Sequence, residues 1–289
     1  MTHSHAVAIA IATPYQHTPW QAELRLGFSQ RDGRTILSHR DHRGPLAIQK
    51  MLYPEGDAVC HAIILHPPGG LAGGDRLEIN ISAATSAHAL LTTPGAGKWY
   101  KANGATASQQ LVISAADNAT IEWLPQETIV YDAAEAQWRG EVHIAESARY
   151  AGWEIICLGR QACGEQFRQG QLRQSLKIFR SNRIIWGEHA NLKGGDRLLN
   201  SAAGLRGQPV FATFVIAAGA ITPELLEQCR AVTAADGGAT CVTALPEIFV
   251  GRYLGRSTQS ARLYFEQLWG LLRPWYAGMA AQRPRIWNT

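Results

Sequence analysis

The chain is short of charge. Only 17% of its 289 residues are Asp, Glu, Lys or Arg, against about a quarter in ordinary globular domains. A surface this poor in charge suits a protein that a partner covers. The net charge of +4 comes without a block of basic residues, because Asp41 interrupts the cluster from Arg40 to Arg43. That cluster reads as a solvated loop, and no nucleic-acid partner is expected. No apolar run approaches the roughly 20 residues of a membrane span. The early run from Ala6 to Ala12 is short and no Lys or Arg precedes it, so neither a signal peptide nor a membrane is expected. The five cysteines (Cys60, Cys157, Cys163, Cys229 and Cys241) are odd in number and form no C-x-x-C. This argues against a disulfide framework and a zinc site, and for reduced, buried thiols in the cytoplasm. The G-x-S-x-G and H-E-x-x-H signatures are missing too.

Glycine and proline are concentrated. An apolar, β-branched run from Val59 to Leu65 leads into His66-Pro67-Pro68-Gly69-Gly70-Leu71-Ala72-Gly73-Gly74-Asp75-Arg76. This predicts a buried strand followed by a tight turn whose backbone reaches positive φ or passes close to another element. The spacing GG-x-x-GG is not the dinucleotide fingerprint. The second stretch, Thr92-Thr93-Pro94-Gly95-Ala96-Gly97-Lys98-Trp99-Tyr100, is not a phosphate loop. Thr92 stands where that motif needs Gly, and Trp99 where it needs Ser or Thr. Leu71 to Leu77 is echoed by Leu192 to Leu198, and both copies read as turns.

Alternating hydrophobicity predicts strands over 20–28, 45–49, 58–65, 77–81, 88–92, 109–113, 120–123, 141–144, 153–158, 171–179, 183–186, 211–216 and 241–253. Asp32-Gly33 marks a hairpin. Two helices interrupt the pattern near 222–233 and 257–273. The first opens on Thr222-Pro223-Glu224, a cap, a first-turn proline and an acid. Ser257 caps the second, Ala261, Tyr264, Phe265, Leu268 and Leu272 share one face, and Pro274 is predicted to stop it. The expected fold is mainly β: a single large domain over 20–289 with two α-helices near the C-terminus, behind a flexible lead-in over 1–19.

Candidate chemistry rests on carboxylates. Glu122 and Glu127 flank Trp123-Leu124-Pro125 and have the residue types of a glycosidase pair. Glu154 and Glu188 lie in or beside apolar strand segments, and Asp75 and Glu165 follow glycines. Acids in apolar strands are costly unless paired or lining a wet cavity. The plain reading is pairing with Arg76, Arg160 or Arg168. The functional reading is a path of oxygen ligands that holds a divalent metal weakly enough to release it. His3 could join the N-terminal amine in square-planar nickel ligation. His66 and His88 read as structural.

The motifs HPPGGLAGGD, TTPGAGKWY, Glu122-Trp123-Leu124-Pro125-Gln126-Glu127-Thr128-Ile129, Gly159-Arg160 with Gly164-Glu165, and Pro284-Arg285-Ile286-Trp287 occur in this order. Together they resemble the urease accessory protein UreD family, called UreH in some species, from about Trp20 to the C-terminus. Met51-Leu52 departs from the Pro-Phe of that pattern. The resemblance implies a β-helix-like stack of strands and a scaffold rather than an enzyme. It implies a GTP-dependent complex that inserts nickel into urease apoprotein. This chain would contact the apoprotein and UreF, UreF would recruit the GTPase UreG, and UreE would supply nickel. No tightly bound cofactor is implied, only Ni2+ in transit through an internal polar tunnel. Asp75, Glu154, Glu165 and Glu188 are the residues onto which that path is carried. The alternative reading of the residues is an all-β carbohydrate-active enzyme using Glu122 and Glu127.

Overall fold

The structure, a computed structural model, describes residues 18–288. His3 and residues 1–17 of the expected lead-in lie outside the described residues.

The chain opens with a hairpin of β1 (Gln21–Arg31) and β2 (Arg34–Arg43), then β3 (Ala47–Ile48). Asp32 and Gly33 take positive φ at the hairpin turn, as the dipeptide predicted. From β4 (Val59–Leu65) onward the chain winds between two sheets. In order come β5 (Arg76–Ala83), β6 (His88–Thr92), β7 (Gly97–Trp99), β8 (Ala107–Ala115), β9 (Thr120–Trp123), β10 (Thr128–Val130), β11 (Glu135–Ile144), β12 (Arg149–Leu158), β13 (Gln171–Arg180) and β14 (Arg183–Lys193). A four-residue helix, α1 (Arg197–Asn200), precedes β15 (Val210–Ala217). Then follow α2 (Pro223–Arg230), β16 (Ala239–Ala244), β17 (Ile248–Gly255) and α3 (Thr258–Ala277).

One sheet has the order β14-β13-β11-β8-β5-β1-β2, the other β16-β17-β15-β12-β9-β6-β4-β3. Within the first, β1, β5, β8, β11 and β13 are mutually parallel neighbours; within the second, β4, β6, β9 and β12 are. Parallel neighbours need a crossover, and here the crossover from one strand to the next is a strand of the other sheet. The result is a β-solenoid, as the resemblance implied. Short β7 and β10 pair on a third face, and β10 also joins β12.

Register stacks like residues. Leu26, Ile81, Ile113, Val142 and Ile178 form one column between the sheets, each no more than 2% exposed. The outward column beside it, Arg25, Asn80, Val112, Glu141 and Lys177, is largely polar. Inner strands of the first sheet such as β5 and β11 therefore alternate in burial, whereas β4 and β9 of the second are buried almost throughout. The outer face of the second sheet lies under α2 and α3, which join it in a separate apolar cluster. Covering both faces turns an alternating strand into a continuously apolar one.

The caps form as the sequence predicted: Thr222 Oγ1 accepts from Leu225 N and Ser257 Oγ from Ser260 N. Three expectations need correction. Pro274 does not end α3, which continues to Ala277, where Gly278 caps it in the left-handed conformation. Tertiary contacts hold that last turn: Tyr276 is buried and its hydroxyl donates to Glu122 Oε2 at 2.7 Å. The echo at Leu192 to Leu198 is not a plain turn, because Asp196 accepts from Leu198 N and opens the unpredicted α1. The single strand over 241–253 is a hairpin of β16 and β17.

Candidate functional site

The two glycine-rich motifs lie side by side. Leu71 N donates to Lys98 O and Tyr100 N to Leu71 O, both at 2.8 Å. A Cβ on Gly70 would come within 2.7 Å of Lys98 O and of the Tyr100 ring, and Gly74 has φ +90. Close approach and a left-handed residue account for the glycines. Asp75 is buried and closes the loop: its carboxylate accepts from Trp20 N and from Ala72 N, each at 2.7 Å. Glu165 lies in the connection between β12 and β13. It takes the Arg160 guanidinium at 2.5 Å and accepts from Asp132 N and Arg160 N. That pairing holds its carboxyl below the usual range. Arg160 is thus one of the pairings the sequence suggested, whereas Arg76 pairs with Glu78 instead of Asp75.

Glu122 is enclosed under α3. Its oxygens accept from Trp269 Nε1 at 2.8 Å, from the Tyr276 hydroxyl and from Arg273 Nη2 at 2.9 Å, and His88 Nε2 lies 2.6 Å away. Arg273, itself fully buried, reaches on to Glu55, which also meets His61 at 2.5 Å. Burial alone would raise the Glu122 carboxyl, but His88 and Arg273 hold it well below the ordinary carboxylate range, and Glu55 is lowered likewise. A carboxylate 0% exposed and held by four side chains cannot flank a scissile bond. The predicted pairing of Glu122 with Glu127 as a glycosidase dyad is therefore corrected: Glu122 anchors α3 to the solenoid. His88 is structural, as expected.

The remaining motif residues do similar work. Trp153 Nε1 donates to Pro125 O at 2.8 Å, and Trp287 Nε1 to Thr92 Oγ1 at 2.7 Å. Gln126 Oε1 accepts from Arg262. All five cysteines are free. Cys60, Cys157 and Cys229 are buried as expected, whereas Cys163 and Cys241 are exposed.

Glu154 and Glu188 are brought together. They face one cavity of about 370 Å3 between the sheets, at the end of the solenoid where β12, β13, β14, β15 and β17 meet. Gln174, His189, Asn191, Thr213 and Arg252 supply its other polar groups, and Leu198 and Leu205 line it from the segment around α1. A smaller void of about 20 Å3 continues inward to Trp138, Tyr150 and Gly152, and shares Glu154, Glu188 and Thr213. Glu154 projects from β12 and accepts from Trp123 Nε1 at 2.9 Å. Burial pushes its carboxyl up to about 7, and the indole N–H only partly offsets this. Glu188 projects from β14 and accepts from Thr213 Oγ1 at 3.2 Å and Arg252 Nη1 at 2.6 Å. Asp75 immediately precedes β5, three strands from β13 in the first sheet, and does not line this cavity. Among the described residues, no group of three or more His, Cys, Asp or Glu is arranged to hold a metal.

Sequence reasoning missed Thr213 and Arg252. Arg252 was the visible signal: a lone cation in the otherwise apolar strand Ile248–Gly255.

The fold and this cavity define a β-solenoid whose strongest motifs are structural, with one polar, carboxylate-bearing chamber between its sheets. The model of the UreD urease accessory protein family matches residues 21–288. A urease accessory protein UreD of Methylobacillus flagellatus is 52% identical over 270 residues, covering 93% of this chain and 95% of the relative. That of Dechloromonas aromatica is 48% identical over 288 residues, covering 97% and 99%. The chain belongs to the urease accessory protein UreD family. Among the described residues, no helix is long and apolar enough to cross a membrane.

Proposed function

We propose that this chain is a scaffold of urease maturation in the cytoplasm, and that Ni2+ passes through its Glu154–Glu188 cavity as cargo. Its partners in this reading are urease apoprotein and UreF. UreF brings the GTPase UreG, and UreE feeds nickel to the complex.

The observation that carries the reading is the meeting of Glu154 and Glu188 in one polar cavity, in a chain whose relatives are named urease accessory proteins. Two carboxylates with amide and hydroxyl neighbours offer oxygen ligands that bind a divalent cation without a full cage. A conduit needs such a site, because a cargo held by many strong ligands does not leave. An enclosed path also keeps the ion from competing chelators. Asp75 and Glu165 are committed to backbone and arginine partners, so the proposed path runs through Glu154 and Glu188.

Capture of urease apoprotein by the chain, with and without UreF, tests the partner assignment. Glu154→Ala and Glu188→Ala test the path. Both variants should form the same complexes yet lower the nickel content of urease at limiting nickel. Full nickel loading with both variants would refute the cavity assignment, and failure to capture urease in either setting would refute the scaffold.

A further inference from the structure

We infer that Arg252 is a resident counter-cation of the Glu154–Glu188 cavity, which a divalent metal must displace before it can take both oxygens of Glu188. The inference rests on the cavity reading above and adds the residue that sets how weakly the metal is held.

The register places Arg252 there. Glu154 on β12 is opposite Thr213 on β15, which is opposite Arg252 on β17. Arg252 Nη1 donates to Glu188 Oε1 at 2.6 Å, and Thr213 Oγ1 reaches the same oxygen at 3.2 Å. Glu188 belongs to the other sheet, so the guanidinium bridges the two sheets at the mouth of the cavity. Both donors sit on Oε1, so a metal can chelate the Glu188 carboxylate through both oxygens only by displacing them. A guanidinium cannot be deprotonated at any working pH, so it can yield only by moving. It is able to: the Arg252 side chain is 45% exposed, against 24% for Glu188. Such half-exposed pairs are held weakly, so the exchange of arginine for metal is cheap in both directions. A cation of fixed charge that lowers the cavity's affinity without abolishing it suits a site that must release its cargo.

A purely structural tie between the sheets would predict the opposite effect on metal binding. The experiment is equilibrium dialysis of the full chain against Ni2+, with circular dichroism to confirm folding. Arg252→Gln should bind Ni2+ about two- to fivefold more tightly than the parent, from the usual strength of such a pair. Arg252→Lys, which keeps the charge, should stay near the parent. Glu188→Gln should bind more weakly, and the gain from Arg252→Gln should vanish in the double variant. Arg252→Met, which keeps the apolar stem, replaces Arg252→Gln if that variant does not fold. Equal or weaker binding by the neutral variants, with Glu188→Gln still weakening the parent, would overturn the role of Arg252 and leave the cavity reading standing. Ni2+ binding indifferent to both Glu188→Gln and Glu154→Gln would overturn the cavity reading and this inference with it.

Discussion

Replacing Arg273 by Met is the sharpest test of how α3 is fastened. Met fills much of the arginine stem's volume but removes the charge. Glu55 and Glu122, whose side chains are 5% and 0% exposed, then lose the guanidinium that both share. Taking one partner from a buried ion pair costs about 3–5 kcal/mol, because the other charge stays buried without compensation. Total stability of a domain is about 5–15 kcal/mol, so the loss is a large share of it. Both carboxyls are held below their ordinary values in the parent. At these two sites the folded parent therefore binds fewer protons than the unfolded chain, and the stability they contribute is lost as pH falls through the ordinary carboxylate range toward their lowered values. In Arg273→Met only His88 and His61 still hold the carboxyls down, and burial works against them. The folded variant takes up protons at higher pH, so the deficit should narrow from pH 7 to pH 5. Urea unfolding followed by tryptophan fluorescence reads this directly, since Trp269, Trp287 and Trp153 cluster beside the network at centroid spacings of 5.4 and 5.9 Å. A deficit under about 1 kcal/mol at pH 7, the range of an exposed pair, or one that does not change with pH, would refute the reasoning.

Glu154→Gln should act in the opposite sense. Its folded carboxyl is raised to about 7 from 4.5, so the stability linked to it is present below the ordinary value and lost as pH rises through 7; the variant should be about 1–3 kcal/mol more stable than the parent at pH 8 and no different at pH 4. Identical pH profiles in the same unfolding assay would count against it. Gly70→Ala should cost about 1–3 kcal/mol through overpacking against Lys98 O and Tyr100. Gly95→Ala, whose Cβ would meet nothing, should stay within about 0.5 kcal/mol. Thermal midpoints of the two variants check this, and equal shifts would refute it.

Much of the fold could be read from periodicity. Inner strands of the first sheet alternate because one face meets the core and the other meets solvent. Both helix N-caps could be read because Thr222 and Ser257 act on residues only three positions away. What failed was non-local. Pro274 looked like a stop because nothing nearby in sequence reveals that Tyr276 is anchored to Glu122. The pairing of Glu122 with Glu127 failed for the same reason: adjacency along the chain says nothing of the helix that covers Glu122. Glu154 and Glu188 could be picked out as acids in apolar surroundings, but their meeting required knowing that β12 and β14 face each other. Arg252 could only be recognised as their neighbour through the register of β15 with β17.

The contacts that seal the second sheet also impose an order of events on synthesis. Arg273 binds Glu55 across 218 residues, and Trp287 binds Thr92 across 195. The solenoid coils can close one after another as the chain emerges, because each coil pairs with the one before it. The outer face of β4, β6, β9 and β12 can be covered only when α3 and the segment to Trp287 are free of the ribosome. Until then Trp153, Ile155 and Phe214, all buried in the finished protein, are presented as bare apolar surface on an otherwise formed sheet. Such a late, long-range closure is slow and leaves the nascent chain exposed to aggregation. The helix that completes the fold is thus also the last safeguard of its solubility.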